Sequence, residues 1–245
     1  HIHGSEIWRA KEGRCELVTG TLLPPVVLAD AINRAPAKVQ SALLEAMAER
    51  QVSVGGRSWP LPAPFLVMAT QNPIEQEGTY ALPEAQLDRF LMHVRIGYPD
   101  TATELAILQQ ARAGNGGALA HDPQASIDLE VLAQARVEVA GLHLAPALER
   151  YIVELVMASR EPGRYDPGMA GQIAWGASPR GTIALERCAP ARAWLHGRDY
   201  LTPEDVRTVA PDVLRHRVLP SYQAQAAGID GGALVEALLA RVPVP

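Results

Sequence analysis

Val26-Val27-Leu28-Ala29-Asp30 is the stretch that decides how this chain folds: a short apolar run, entered through Pro24-Pro25, that ends on a carboxylate. Consecutive apolar residues without alternation read as a strand buried on both faces, as in a parallel sheet. Working outward, Ile32-Asn33-Arg34-Ala35-Pro36 is a loop, and residues 37–49 predict a helix with Val39, Leu43 and Met47 on one face at a spacing of four. Gln51-Val52-Ser53-Val54, Gly55-Gly56 and Arg57-Ser58-Trp59 predict a hairpin turned by its two glycines. Phe65 to Thr70 is a second buried strand, delivering Gln71-Asn72-Pro73, and Met92-His93-Val94-Arg95-Ile96 predicts a third. Strand and helix alternate through residue 98, which is the pattern of an α/β unit.

Past Tyr98-Pro99 the periodicity turns helical, and no further strand is expected. Helices are predicted over 103–111, 129–136, 146–159, 179–195, 202–214 and 232–241, with a Gly-rich break at Ala113-Gly114-Asn115-Gly116-Gly117. Thr202-Pro203-Glu204-Asp205 carries an N-cap, a first-position proline and first-turn acids. The expected organisation is an α/β core over 1–98 with an inserted β-hairpin, a linker over 99–125 and an all-α domain over 126–245.

The whole chain is 245 residues with 48% hydrophobic and 20% charged residues, which is a globular composition and leaves room for two domains. No apolar run approaches the roughly 18 residues of a membrane span, so no integral membrane segment is expected. The start, His1-Ile2-His3-Gly4-Ser5, is unlike a signal peptide and lacks Met, which suggests a piece of a longer protein. Cys15 and Cys188 are the only cysteines, which excludes a disulfide scaffold and a Cys-rich zinc site and makes a reducing, cytoplasmic setting the expectation. A net charge of −5 argues against general attraction to nucleic acid. Seven histidines occur without H-E-x-x-H, and G-x-S-x-G is missing, so neither a metal hydrolase nor a serine hydrolase is indicated.

Ligands of parallel α/β sheets bind beyond the carboxyl ends of the strands, where Asp30 and Asn72 both fall. A carboxylate for magnesium and an amide that orients water near a γ-phosphate is a pairing used in phosphoanhydride chemistry; the plainer reading is that each caps its own loop. Arg89, in Leu82-Pro83-Glu84-Ala85-Gln86-Leu87-Asp88-Arg89-Phe90, either bonds an acid of its own chain or reaches a neighbouring subunit's phosphate, for which the rigid guanidinium fork is suited. Arg180, opening a helix after Ala177-Ser178-Pro179, is either a solvated first-turn residue or a contact to a nucleotide.

These segments together resemble the MoxR group of AAA+ ATPases: residues 30–47, Ala69-Thr70-Gln71-Asn72-Pro73-Ile74-Glu75, residues 78–90, Gly176-Ala177-Ser178-Pro179-Arg180, residues 197–206 and Leu214-Arg215-His216-Arg217. The resemblance implies a partial AAA+ αβα core followed by an all-α lid. It makes Val26 to Asp30 the Walker B strand with Asp30 serving the metal, Asn72 sensor 1, Arg89 the arginine finger and Arg180 sensor 2. Residues 51–62 become the hairpin before sensor 1, and 6–23 part of an insertion around the second helix. It also implies ATP and Mg2+ as cofactors, a hexameric ring of chaperone type, and a von Willebrand factor A domain protein as partner.

Two departures from the family pattern bear on activity. Where the family carries Asp-Glu, this chain reads Asp30-Ala31, so the carboxylate that activates water is missing. The phosphate-cradling G-x-x-x-x-G-K-[ST] does not occur in these residues, and the only lysines, Lys11 and Lys38, match other family segments. The expectation is the C-terminal part of a longer ATPase with hydrolysis impaired; the alternative is a subunit that assembles and binds partners without turning over nucleotide.

Overall fold

The computed structural model describes residues 4–9, 14–19, 25–54, 57–72, 74, 78–112 and 127–245, with the backbone alone for 4–9, 14–19, 54 and 57. Contacts divide the chain into two units, His1–Phe90 and Leu91–Pro245.

In the first unit, β1 (Gly4–Arg9) and β2 (Arg14–Thr19) form an antiparallel pair with Gly4 opposite Thr19 and Arg9 opposite Arg14. β3 (Val26–Ala29) leads through a 3-10 turn at Ile32–Arg34 into α1 (Ala37–Glu49). The chain then makes the antiparallel hairpin of β4 (Gln51–Val54) and β5 (Arg57–Pro60) and returns as β6 (Leu66–Ala69). β6 lies parallel to β3, with Val26 opposite Leu66 and Ala29 opposite Ala69. The short helix α2 (Glu84–Leu87) closes the unit.

Packing turns α1 slightly from the face its apolar spacing suggests. Its buried residues are Gln40, Leu43, Leu44 and Ala46, with Val39 and Met47 half-buried. Leu43, Leu44, Ala46 and Met47 meet Val27, Ile32, Val52, Leu61 and Leu82 in one apolar cluster. The parallel pair is covered on one face only: Val27 is buried, whereas Val26, Leu28, Leu66 and Met68 on the opposite face are each more than half exposed. That pattern departs from the two-sided burial expected of a parallel strand.

The third strand expected at 92–96 does not form. A strand needs a ladder partner, and these residues spend their polar groups elsewhere in the second unit. The His93 amide donates to the Asp212 carbonyl at 2.7 Å, Arg217 donates to the Leu91 carbonyl at 3.2 Å, and Arg95 pairs with Asp230 at 2.7 Å. Residues 91–98 therefore belong with the helical unit, which moves the division of the chain ahead of residue 98.

The second unit contains α3 (Thr101–Arg112), α4 (Leu129–Ala140), α5 (Pro146–Arg160), α6 (Pro179–Leu195), α7 (Pro203–Leu214), α8 (Tyr222–Ala226) and α9 (Gly231–Arg241). Leu155 of α5, Leu185 of α6, Val206 and Val213 of α7 and Leu238 of α9 are almost completely buried in its core. The expected helix starts at 129, 146 and 179 and ends at 195, 214 and 241 agree with the elements. A strictly helical second half is not what forms: β7 (Ile173–Trp175) and β8 (Leu219–Pro220) make a small antiparallel ribbon. Segments of three and two residues are too short to show an alternating pattern in sequence.

One buried carboxylate ties this unit together. Asp205 has no exposed side-chain surface and accepts from Arg192 at 2.5 Å and from both terminal nitrogens of Arg198 at 2.5 and 2.6 Å. The amide and hydroxyl of Thr202 also donate to it, at 2.9 and 2.8 Å, the amide bond being the return half of a capping box at the start of α7. Burial pushes the carboxyl pKa up, but these donors, Arg198 foremost, outweigh burial and hold it far below the ordinary carboxylate range.

Candidate functional site

The parallel register fixes what stands at the strand ends. Ala29 and Ala69 are opposed, so the residues that follow, Asp30 and Thr70, leave the sheet side by side. The Thr70 hydroxyl donates to Asp30 Oδ1 at 2.6 Å and accepts from the Ala31 amide at 2.9 Å. The Thr70 backbone is bound to the same turn: its N–H donates to the Ala29 carbonyl at 3.0 Å, and its C=O accepts from the Ile32 amide at 2.9 Å. Asp30 and Thr70 are both exposed, open to a ligand beyond the sheet.

Asn72 follows two residues later and is exposed; its Oδ1 accepts from the Ile74 amide at 3.1 Å, an Asx-type turn. The side-chain oxygen thus serves its own loop, as the plainer sequence reading has it, while standing past the end of β6. Ala31 occupies the left-handed region at φ 48°, ψ 52°, which is unusual for a residue with a Cβ. Its side chain is a methyl group, so position 31 offers no acid or base.

Arg89 lies just past α2, and its Nη1 donates to the Leu44 carbonyl of α1 at 3.2 Å. Among the described residues this bond is to a helix carbonyl of the same unit rather than to an acid. Arg180 sits in the first turn of α6, exposed at its side chain, with its backbone N–H held by the Ser178 hydroxyl at 3.1 Å. The loop before it is anchored on the end of α5. Ser159 donates to the Val156 carbonyl at 2.6 Å and accepts from the Ala177 amide at 2.9 Å, and Arg160 donates to the Ala177 carbonyl at 2.9 Å. Gly176 fits there because it has no side chain: a Cβ would lie 2.5 Å from the Ser159 carbonyl oxygen.

Sequence reasoning missed three residues that shape these loops. Gln40, 2% exposed, donates from Nε2 to the Ile32 and Tyr80 carbonyls at 3.1 and 3.2 Å, tying the turn after β3 to the segment before α2. Its signal was present, since a polar residue three and four places before Leu43 and Leu44 falls on the buried face. Thr70, a hydroxyl ending an apolar run, and Ser159, in the last turn of an amphipathic helix, had weaker signals.

The family model described as "ATPase family associated with various cellular activities (AAA)" matches residues 1–92, and the AAA lid domain model matches residues 169–238. Chaperone MoxR1 of Mycobacterium tuberculosis is 43% identical across the whole chain, which spans 64% of that relative. Protein MoxR of Paracoccus denitrificans is 35% identical, the match covering 96% of this chain and 74% of the relative. A crystal structure from Cytophaga hutchinsonii, described as that of a candidate ATPase, superposes with a TM-score of 0.87 at 41% identity, covering all of this chain and 73% of that one. With relatives at this identity over this much of their length, and with the AAA core and lid models matched in order, the chain belongs to the MoxR family of AAA+ ATPases.

Proposed function

We propose that this chain forms the Walker B-to-lid part of a MoxR-type subunit, which takes ATP and Mg2+ in a hexameric ring and remodels partner proteins, with negligible hydrolysis by this chain alone. The observation that supports this most is the parallel β3–β6 register, which brings Asp30 beside Thr70 at adjacent strand ends. The Asp30 carboxylate, its orientation held by the Thr70 hydroxyl, is the kind of oxygen donor a hard divalent cation takes. Mg2+ is commonly held by one or two carboxylates, with phosphate oxygens and water supplying the rest. Held by Asp30 with a bound nucleotide, the cation would supply charge neutralisation at the phosphates.

In this reading Asp30 serves the metal, Asn72 faces the γ-phosphate as sensor 1, Arg180 contacts the nucleotide from the lid as sensor 2, and Arg89 reaches a neighbouring subunit's site. Ala31 stands where the family's water-activating carboxylate is found, and a methyl group cannot accept the proton that the attacking water loses. Hydrolysis by this chain alone is negligible in this reading. The chaperone name of MoxR1 supports a protein-remodelling role, and a von Willebrand factor A domain protein is the proposed partner.

Mixing decides between this and an inert, partner-binding subunit. Added to a MoxR relative with complete phosphate-binding residues, the chain is expected to raise ATPase rate per relative subunit, and Arg89→Ala is expected to abolish the rise. No rise with the unmodified chain, under conditions where the two co-assemble, refutes the trans role and favours the inert subunit.

A further inference from the structure

We propose that Thr70 is a positioning residue that fixes the orientation of Asp30 and pins the backbone of the turn at Ala31 and Ile32. All its polar groups are committed to four consecutive residues of the neighbouring strand end. The hydroxyl donates to Asp30 Oδ1 at 2.6 Å and accepts from the Ala31 amide at 2.9 Å. The backbone N–H and C=O bind the Ala29 carbonyl and the Ile32 amide at 3.0 and 2.9 Å. The two backbone bonds form with any residue at position 70 other than proline. The two hydroxyl bonds require Ser or Thr.

The hydroxyl does two things at once. By donating to Oδ1 it sets the plane of the Asp30 carboxylate and leaves Oδ2 and the second lone pair of Oδ1 for a ligand. By accepting from the Ala31 amide it satisfies the donor that the left-handed conformation at φ 48° turns away from the strand ladder. Gln40 supports the same turn from beneath, through the Ile32 carbonyl. A rotating aspartate would present either oxygen, or neither, to a cation. The inference extends the proposed metal role of Asp30, but its direct readouts need no metal.

The test uses NMR on the 245-residue chain. Three-bond couplings from the Asp30 carboxyl carbon report its χ1 rotamer, and amide exchange reports the Ala31 hydrogen bond. One dominant Asp30 rotamer is expected in the unmodified chain. Thr70→Val, which keeps the shape and removes the hydroxyl, is expected to average the couplings and to speed Ala31 exchange about three- to tenfold, the range one lost hydrogen bond represents. Thr70→Ser is expected to restore both. If Thr70→Val unfolds the first unit, Asp30→Ala is the second variant: Ala31 must stay protected, because its acceptor remains. Unchanged couplings and exchange in Thr70→Val, failure of Thr70→Ser to restore them, or fast Ala31 exchange in Asp30→Ala each overturn the proposal. Titrating Mn2+ alone separates the two readings: paramagnetic broadening at Asp30 in the unmodified chain supports the metal role and its absence counts against it, while the rotamer result stands by itself.

Discussion

Replacing Asp205 by Asn tests whether a single buried carboxylate holds the helical unit together. Asn keeps the shape and one acceptor oxygen, so the capping contact to Thr202 can survive, while the charge facing Arg192 and Arg198 is lost. Removing one partner of a buried ion pair costs about 3–5 kcal/mol, because the remaining charge is left uncompensated. Here the two arginine side chains are 25% and 24% exposed, so water reaches them and the lower end applies. We expect about 3 kcal/mol, a large share of the 5–15 kcal/mol typical of a domain. Urea unfolding followed by far-UV circular dichroism reads this directly, since the helices of the second unit dominate the signal. A double-mutant cycle with Arg198→Met is expected to show coupling of about 1–3 kcal/mol, as contacting residues do. A loss below about 1 kcal/mol for Asp205→Asn would falsify the reasoning, by showing that hydrogen bonding without charge suffices.

The same pair of proteins carries a pH signature. Because the folded-state pKa of Asp205 is depressed, its contribution is complete above the ordinary carboxylate value of about 3.8 and is lost as pH falls towards the folded value. The stability difference between the unmodified chain and Asp205→Asn should be flat from pH 7 to about 5 and shrink below about 4; growth on acidification contradicts the assignment. Ala31→Gly relieves a left-handed residue, a gain of about 1–2 kcal/mol offset by a more flexible unfolded chain, so the first unit should gain about 0.5–1 kcal/mol in denaturant melts. Gly176→Ala places a Cβ against the Ser159 backbone and should cost about 2–3 kcal/mol, with Ala177 losing exchange protection; a neutral result means the loop shifts freely. Hydrogen exchange should find the amides of β3 and β6 faster than those of α5 to α7, since one face of that sheet is exposed and the helical core is not. Equal protection would show that the exposed face closes in solution.

By itself the sequence determined the elements whose signals are local and their order. The apolar run ending at Asp30, the glycine-turned hairpin and the caps of α6 and α7 draw on periodicity and turn chemistry within a few residues. So does the appearance of Asp30, Asn72, Arg89 and Arg180 at element ends. Tertiary structure decided what depends on partners distant in the chain. Residues 92–96 have a strand's composition, yet their polar groups meet Asp212 and Asp230, over a hundred positions away, and no ladder forms. Asp205 looked like a helix-start acid; only the return of Arg192 and Arg198 made it a buried hub. Thr70 and Asp30 lie 40 positions apart, and only the parallel register of β3 and β6 puts a hydroxyl against that carboxylate. Propensity and patterning act over one or two turns of chain, whereas the orientation of a side chain is set by whichever donor folding brings beside it.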